Sequence, residues 1–171
     1  MSTGATGDDK FVAPPSFDDV YRDHFAYVWH SLRRLGTETP DLADTAHDVF
    51  VAVQKQLPTF DWNRLLKPWL FAIAVRVAFD RVTRPAIRPT EMGAAFEAKQ
   101  TDASDDEQTR ERLIRALRAV DRDRRAVVIL HDIDEVSVED VAHALGVPVK
   151  TVETRLRIGR EELAKAFSSS E

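Results

Sequence analysis

Hydrophobic side chains recur every three or four positions along two stretches of the chain, which is the spacing of an amphipathic α-helix. The first stretch, 17–85, contains three such segments. Its opening segment, "SFDDVYRDHFAYVWHSLRRLG", has Ser16 where a helix cap belongs and Gly36 as a stop signal. A second segment closes at Pro58. The third, "KPWLFAIAVRVAFDRVTRP", is apolar almost all round, so we expect it to lie at the centre of its domain.

The second stretch, 109–171, predicts further helices and ends in a recognisable arrangement. Ser137 is placed to cap a short helix, and Gly146 begins a tight turn. A longer helix follows, in which Val152 and Leu156 lie on the buried side. A short helix, a glycine-containing turn and a second helix with a polar leading end are typical of a helix-turn-helix.

Between the two stretches, residues 86–108 show little apolar periodicity and carry two basic against six acidic side chains, a net charge of −4. A structureless segment of this length is uncommon inside a compact domain. The sequence therefore predicts an all-α protein of two small helical domains, 17–85 and 109–171, joined by a flexible acidic linker. Residues 1–16 are predicted to form a disordered N-terminal tail.

Composition narrows the possible functions. The chain has no cysteine, which excludes disulfides and thiolate zinc sites, and its five histidines show no metal-ligand spacing. No nucleophile, acid–base pair or phosphate-binding loop stands out, so we expect no enzyme activity, cofactor or metal. The longest apolar run, "WLFAIAV", is too short to span a bilayer, and the N-terminus lacks the pattern of a signal peptide. We expect a cytoplasmic protein without membrane insertion.

The polar leading end of the last helix provides the candidate chemistry. In a helix-turn-helix, the N-terminal turns of the second helix face base edges in the major groove, where hydrogen-bonding side chains are useful. Five residues are predicted to face DNA and two, Arg155 and Arg160, to reach the phosphate backbone. The candidates are Lys150, Thr151, Glu153, Thr154, Arg155, Arg157 and Arg160. A surface helix with solvated charges is the alternative interpretation.

Three segments together resemble a known family. These are "ADTAHDVF", "WLFAIAVRVAFDRVTR" and "VEDVAHALGVPVKTVETRLRIGREEL", in this order and across this linker. They are similar to motifs of the extracytoplasmic-function (ECF) sigma factors, the short two-domain group of the sigma-70 family of bacterial RNA polymerase. The sequence departs from the family pattern at His47, Arg76, Lys150, Glu153 and Thr154.

The resemblance implies a promoter-specificity subunit that directs RNA polymerase to a dedicated set of promoters. The second helix of the first domain would dock on the beta-prime clamp helices of core polymerase, and the second domain would contact the minus-35 element and the beta flap. The candidate polymerase-binding residues are Asp44, His47, Asp48 and Phe50. An anti-sigma protein is a further expected partner, and we expect the free protein to be monomeric.

The resemblance also implies a minus-10 surface in the first domain. The loop "LPTFDWNRLLKP" corresponds to the segment in which a flipped base enters a pocket, and aromatic and amide groups can offset the stacking that is lost. Trp62 could instead fill the core of the domain. Arg76, Asp80 and Arg84, which are spaced four residues apart on the third helix, could instead form salt bridges with one another along that helix. The candidates are Trp62, Asn63, Lys67, Arg76, Asp80, Arg81 and Arg84.

Two other functions remain compatible with the sequence. A sigma-factor mimic would bind an anti-sigma protein without engaging DNA. A helix-turn-helix repressor would use residues 17–85 for dimerisation or sensing, and a homodimer in solution would favour it.

Overall fold

The computed structural model describes residues 13–83 and 104–169. Within these ranges the chain is helical and contains no β-strand. The α-helices are α1 (Phe17–Leu35), α2 (Thr39–Gln56), α3 (Leu66–Thr83), α4 (Ser104–Arg118), α5 (Arg122–Val128), α6 (Val138–Leu145) and α7 (Val149–Ser168). A short 3-10 turn follows α2 at Leu57–Thr59, and α5 continues into a π-helical turn at Ile129–Ile133. The predicted all-α, two-domain fold class is confirmed.

The first helix begins where the sequence predicts. The Ser16 hydroxyl accepts a hydrogen bond from the Asp19 amide at 3.2 Å, and the Asp19 carboxylate accepts one from the Ser16 amide at the same distance. This reciprocal capping box satisfies amides that have no partner within the helix. Gly36 ends α1 in the left-handed conformation.

Helices α1, α2 and α3 pack against one another and form the first domain. Residues 70–75 of α3 are all buried, which explains why this helix has no polar face there. Val28 and Leu32 of α1 and Val49 of α2 are fully buried. The prediction that the most apolar helix is central to its domain is confirmed.

The second domain is built around the contact between α5 and α7. Val127 and Val128 of α5 are buried, as are Val152 and Leu156 of α7. Helix α6 packs against α7, and α4 lies along α7 on another side.

The two domains also pack against each other. Helix α1 contacts α4 and α5, and α3 contacts α6. The Tyr27 hydroxyl donates a hydrogen bond to Asp134 at 2.8 Å, and Arg33 pairs with Glu111 at 2.7 Å. The Arg125 guanidinium donates a hydrogen bond to the backbone carbonyl oxygen of α1's last residue. Buried residues of both domains therefore belong to one continuous core.

The boundary of the second domain differs from the prediction. Helix α4 begins at Ser104, so residues 104–108 are helical rather than part of the linker. Asp106 and Glu107 lie in the first turn of α4, where negative charge is favourable. The rest of the predicted linker and most of the N-terminal tail lie outside the described residues.

Neither a membrane span nor a metal site emerges from the described part of the chain. None of the helices within 13–83 and 104–169 is long and apolar enough to cross a bilayer. The same ranges contain no group of three or more histidine, aspartate or glutamate side chains that could hold a metal ion.

Candidate nucleic-acid interface

The turn between α6 and α7 has the geometry of a helix-turn-helix. Ser137 caps α6 by accepting a hydrogen bond from the Asp140 amide at 3.1 Å. Gly146 then takes a left-handed conformation with φ of +67°, and the Val147 amide donates to the carbonyl of Ala142 at 3.1 Å. This is a Schellman ending, which fixes the direction in which α7 leaves the turn.

Helix α7 is held against the domain by a narrow strip of residues. Val152 is completely buried and Leu156 nearly so. Gly159 lies where α7 crosses α5, and a Cβ atom there would come within 2.8 Å of the Val128 side chain and 3.2 Å of the Arg124 Cβ. The close approach of the two helices therefore requires glycine at this position.

The opposite side of α7 is polar and open to solvent. Lys150, Glu153, Thr154 and Arg157 are exposed, and Thr151 is half-buried. The Thr154 hydroxyl donates a hydrogen bond to the Lys150 carbonyl at 3.0 Å, so its proton is used within the helix. The structure thus brings the predicted base-facing residues together on one exposed surface.

The three arginines of this helix have acidic neighbours in the second domain. Arg155 lies 3.9 Å from Asp123, and Arg157 lies 3.7 Å from Glu161 one turn further along. Arg160 forms two hydrogen bonds with Asp132, at 2.6 and 2.8 Å. These bonds hold the pKa of Asp132 below its ordinary value because they favour the ionised carboxylate.

The predicted minus-10 loop presents aromatic and amide groups at the surface. The Trp62 ring packs edge-on against Phe60, with ring centroids 4.9 Å apart, and 39% of the residue is exposed. Trp62 therefore does not fill the core. The backbone N–H of Asn63 and its side-chain Nδ2 both donate hydrogen bonds to the Asp61 carboxylate, at 3.0 and 3.1 Å. A local turn holds the loop in shape.

The remaining minus-10 candidates among the described residues lie along α3. Lys67 lies over the Tyr27 ring, 5.4 Å from its centroid, at the boundary between the domains. Arg76 and Asp80 are exposed on α3. Arg84 lies outside the described residues.

Arg81 and Asp48 were predicted to serve different partners, but the structure pairs them. The Arg81 guanidinium donates two hydrogen bonds to one carboxylate oxygen of Asp48, at 2.9 and 2.6 Å. Both side chains remain partly exposed. The pair joins α3 to α2, and each group neutralises the other.

The candidate polymerase-binding residues on α2 divide into exposed and buried ones. Asp44 and His47 are exposed. Phe50 is only 3% exposed and packs against the rings of Tyr21 and Phe25, with centroids 4.7 and 5.8 Å away. The assignment of Phe50 as a direct polymerase contact is wrong for this arrangement, because its ring fills the core of the first domain.

Comparison with known proteins identifies the family. The family model for Sigma-70 region 2 matches residues 20–86, and the one for Sigma-70 region 4 matches residues 110–163. The chain is 30% identical over 153 residues to the ECF RNA polymerase sigma factor SigM of Mycobacterium tuberculosis, covering 88% of this chain and 76% of the relative. The chain belongs to the ECF sigma factors. Like other members, it is a promoter-specificity subunit of RNA polymerase, in a family of non-catalytic initiation factors.

Other relatives and solved structures agree with this membership. The ECF sigma factor SigW of Bacillus subtilis is 28% identical over 172 residues, covering 86% of this sigma factor and 84% of the relative. The structure of CnrH in complex with the cytosolic domain of CnrY is 25% identical, with a TM-score of 0.66, and covers 91% of this chain and 89% of that one. The sigma factor RpoE of Bartonella quintana, solved with the anti-sigma factor NepR, shares the fold with a TM-score of 0.67, 18% identity and coverage of 91% and 98%.

The surface where the two domains of this sigma factor meet has no signal in the sequence. A cleft of about 210 Å³ lies between the predicted minus-10 loop and α6. Phe60, Leu65 and Trp69 line one side, and Asp140 and His143 line the other. Residues so far apart in sequence share no periodic pattern, so nothing in the chain predicted this cleft.

Proposed function

We propose that this sigma factor selects promoters through two separate surfaces, α7 for the minus-35 element and the loop before α3 for the minus-10 element. The observation that carries the proposal is the division of α7 into two sides. Val152, Leu156 and Gly159 fix the helix to the domain, and the exposed side presents hydrogen-bonding groups. A reading helix needs both properties, because loosely held side chains discriminate poorly between bases.

The minus-35 contacts follow from the positions of the polar residues. Lys150 and Arg157 are exposed in the first half of α7 and carry donors that suit the acceptors of guanine. Arg155 and Arg160 lie along the edges of this surface, where phosphates pass, and each would exchange its carboxylate partner, Asp123 or Asp132, for a phosphate when DNA binds.

The minus-10 contacts are proposed for the loop and the exposed side of α3. Trp62 offers a partly exposed ring on which an unpaired base can stack, and such stacking contributes about 1–3 kcal/mol per base. Asn63 is held beside it by Asp61. Arg76 is exposed on α3 and supports contact with the DNA backbone.

Polymerase docking is proposed for α2 and the second domain. Asp44 and His47 are exposed on α2 and form the surface for the beta-prime clamp helices. The second domain would contact the beta flap. The pair formed by Asp48 and Arg81 supports the shape of this surface and also leaves Arg81 less free to meet DNA.

Promoter binding further requires that the two domains move apart. In the closed arrangement the minus-10 loop lies against α6, across the cleft of about 210 Å³. An anti-sigma protein would stabilise this closed form by binding it in preference to the separated one.

Run-off transcription with core polymerase and a library of promoters tests the minus-10 surface proposed for the loop before α3. We expect transcripts from a defined subset of promoters, and their loss from the double variant W62A/N63A. Asp23→Ala, an exposed substitution on α1, provides the control. Transcription that W62A/N63A retains in full would contradict the role proposed for the loop.

A further inference from the structure

An unpaired acidic residue stands among the base-facing groups of α7. Each arginine of the helix has an acidic partner within 4 Å, namely Asp123, Glu161 or Asp132. Lys150 and Glu153 form no ion pair with any residue in 13–83 or 104–169. Both side chains are exposed. Glu153 therefore presents a free carboxylate at the surface that is proposed to meet DNA.

A carboxylate at this place is unfavourable for general DNA binding. It repels the phosphates and lowers the affinity for every sequence alike. The repulsion is offset only where the carboxylate meets a hydrogen-bond donor, because an ionised carboxylate accepts hydrogen bonds and cannot donate them. Glu153 is thus suited to discrimination between sequences rather than to affinity.

The major groove offers two kinds of donor, the N4 amino group of cytosine and the N6 amino group of adenine. On adenine, the donor lies beside the N7 acceptor, whose lone pair repels a carboxylate and suits the amide of Asn or Gln instead. Cytosine has no such acceptor on its major-groove edge. Cytosine is therefore the base whose edge complements Glu153.

We propose that Glu153 is a specificity-determining residue that selects a cytosine in the minus-35 element. This inference rests on the proposed function and deepens it. Lys150 lies three residues earlier on the same exposed surface, where its ammonium group can donate to the acceptors of a guanine. Thr154 contributes less to selection, because its hydroxyl proton is bound to the Lys150 carbonyl.

The experiment is run-off transcription by the holoenzyme from promoters randomised across the minus-35 element. The wild type should favour cytosine at one position by about 5- to 150-fold, the range that a good base contact of 1–3 kcal/mol gives. Glu153→Gln should move the preference at that position towards adenine, since the Gln amide matches adenine N6 and N7. Glu153→Ala should abolish the preference there and increase binding to unrelated DNA.

Glu139→Gln is the matched control, because it removes the same charge from an exposed position on α6. It should leave the preferred sequence unchanged. A cytosine preference that persists in both Glu153 variants, or a wild type without one, would overturn the assignment while promoter selection itself stands. If no variant and no wild-type protein supports promoter-specific transcription, the proposed function fails and the inference fails with it.

Discussion

Helix α7 approaches α5 closely because Gly159 has no Cβ atom. At Gly159 there is no room for a side chain, because Val128 and Arg124 already occupy the space that a Cβ atom would need. Arg124 is itself fixed by Glu162 of α7, with two hydrogen bonds of 3.0 and 2.6 Å. The small residue and the ion pair next to it set the crossing of the two helices.

We predict that Gly159→Ala lowers the stability of the protein by about 1–3 kcal/mol, the usual cost of overpacking a core. Part of this loss is offset, because Ala favours a helix by about 1 kcal/mol over Gly. Chemical denaturation followed by circular dichroism measures the difference. Gly146→Asn is the control, since nothing lies within 4 Å of its Cβ position and Asn tolerates the left-handed conformation. A loss at Gly159 no larger than at Gly146 would contradict the packing argument.

At the residue scale, the sequence was a good guide to burial and a poor guide to polar partners. Val152 and Leu156 were predicted to face inward from helical spacing, and both are buried. The partners Arg81 and Asp48 are 33 residues apart and lie on different helices, so no periodicity connects them. Phe50 matched a family motif, but its place in the core depends on how α1 packs against α2.

The exposed side of α2 is the element on which polymerase binding is proposed to depend. We predict that Asp44→Lys weakens association with core polymerase several-fold and leaves the melting temperature unchanged, because Asp44 is exposed and reversal of its charge disturbs a complementary surface. Asp23→Lys is the control, because it makes the same change of charge at an exposed position on α1. Co-purification with core polymerase and thermal denaturation provide the two measurements. Equal polymerase binding by both variants would move the docking surface away from α2.

Elements were predicted well from the chain because their signals are local. The capping box at Ser16 and the Schellman turn at Gly146 each involve residues within a few positions of one another. The start of α4 at Ser104 was missed, since its first turns are polar and show no apolar stripe. Because the apolar spacing of α4 appears only in its later turns, the sequence does not indicate where the helix begins.

At the scale of the whole molecule, the contact between the two domains could not be predicted from the sequence. Tyr27 and Asp134 are separated by 107 residues, and Arg125 by 90 residues from the carbonyl of Leu35 to which it donates. Taken alone, each polar side chain resembles a solvated surface group. Only the packed arrangement shows that these groups join the domains.

Asp134 makes this contact sensitive to pH. Burial raises its pKa above the ordinary value of 3.8, against the opposing effects of the Tyr27 hydroxyl, Arg34 and Lys67. The closed arrangement therefore takes up a proton more readily than a separated one. The stabilisation of the closed arrangement by the protonated Asp134 carboxyl is fully present below pH 3.8 and is lost as the pH rises through the raised pKa of this group.

We predict that Asp134→Asn stabilises the closed protein at neutral pH and reduces this pH dependence, because the amide oxygen still accepts from Tyr27 and carries no charge. Asp132→Asn, two residues away, should have the opposite effect. The pKa of Asp132 is lowered by Arg160, so its contribution is present at neutral pH and is lost as the pH falls through that lowered pKa. Melting temperatures at acidic and neutral pH test both. Destabilisation by both substitutions at neutral pH would contradict the role given to Asp134.

The packing of α1 against α4 and α5 also sets the concentration at which the factor responds. If only separated molecules engage polymerase, the apparent dissociation constant equals the intrinsic one divided by the separated fraction. Once the closed form predominates, each further 1.4 kcal/mol or so of closure weakens apparent association about tenfold. The ion pair between Arg33 and Glu111 joins α1 to α4 and includes no residue of α7 or of the loop before α3, the two surfaces proposed to select promoters. A substitution of Arg33 or Glu111 would nevertheless change the fraction of separated molecules. It would therefore alter transcription from every promoter of this factor in the same proportion and leave the choice of promoter unchanged.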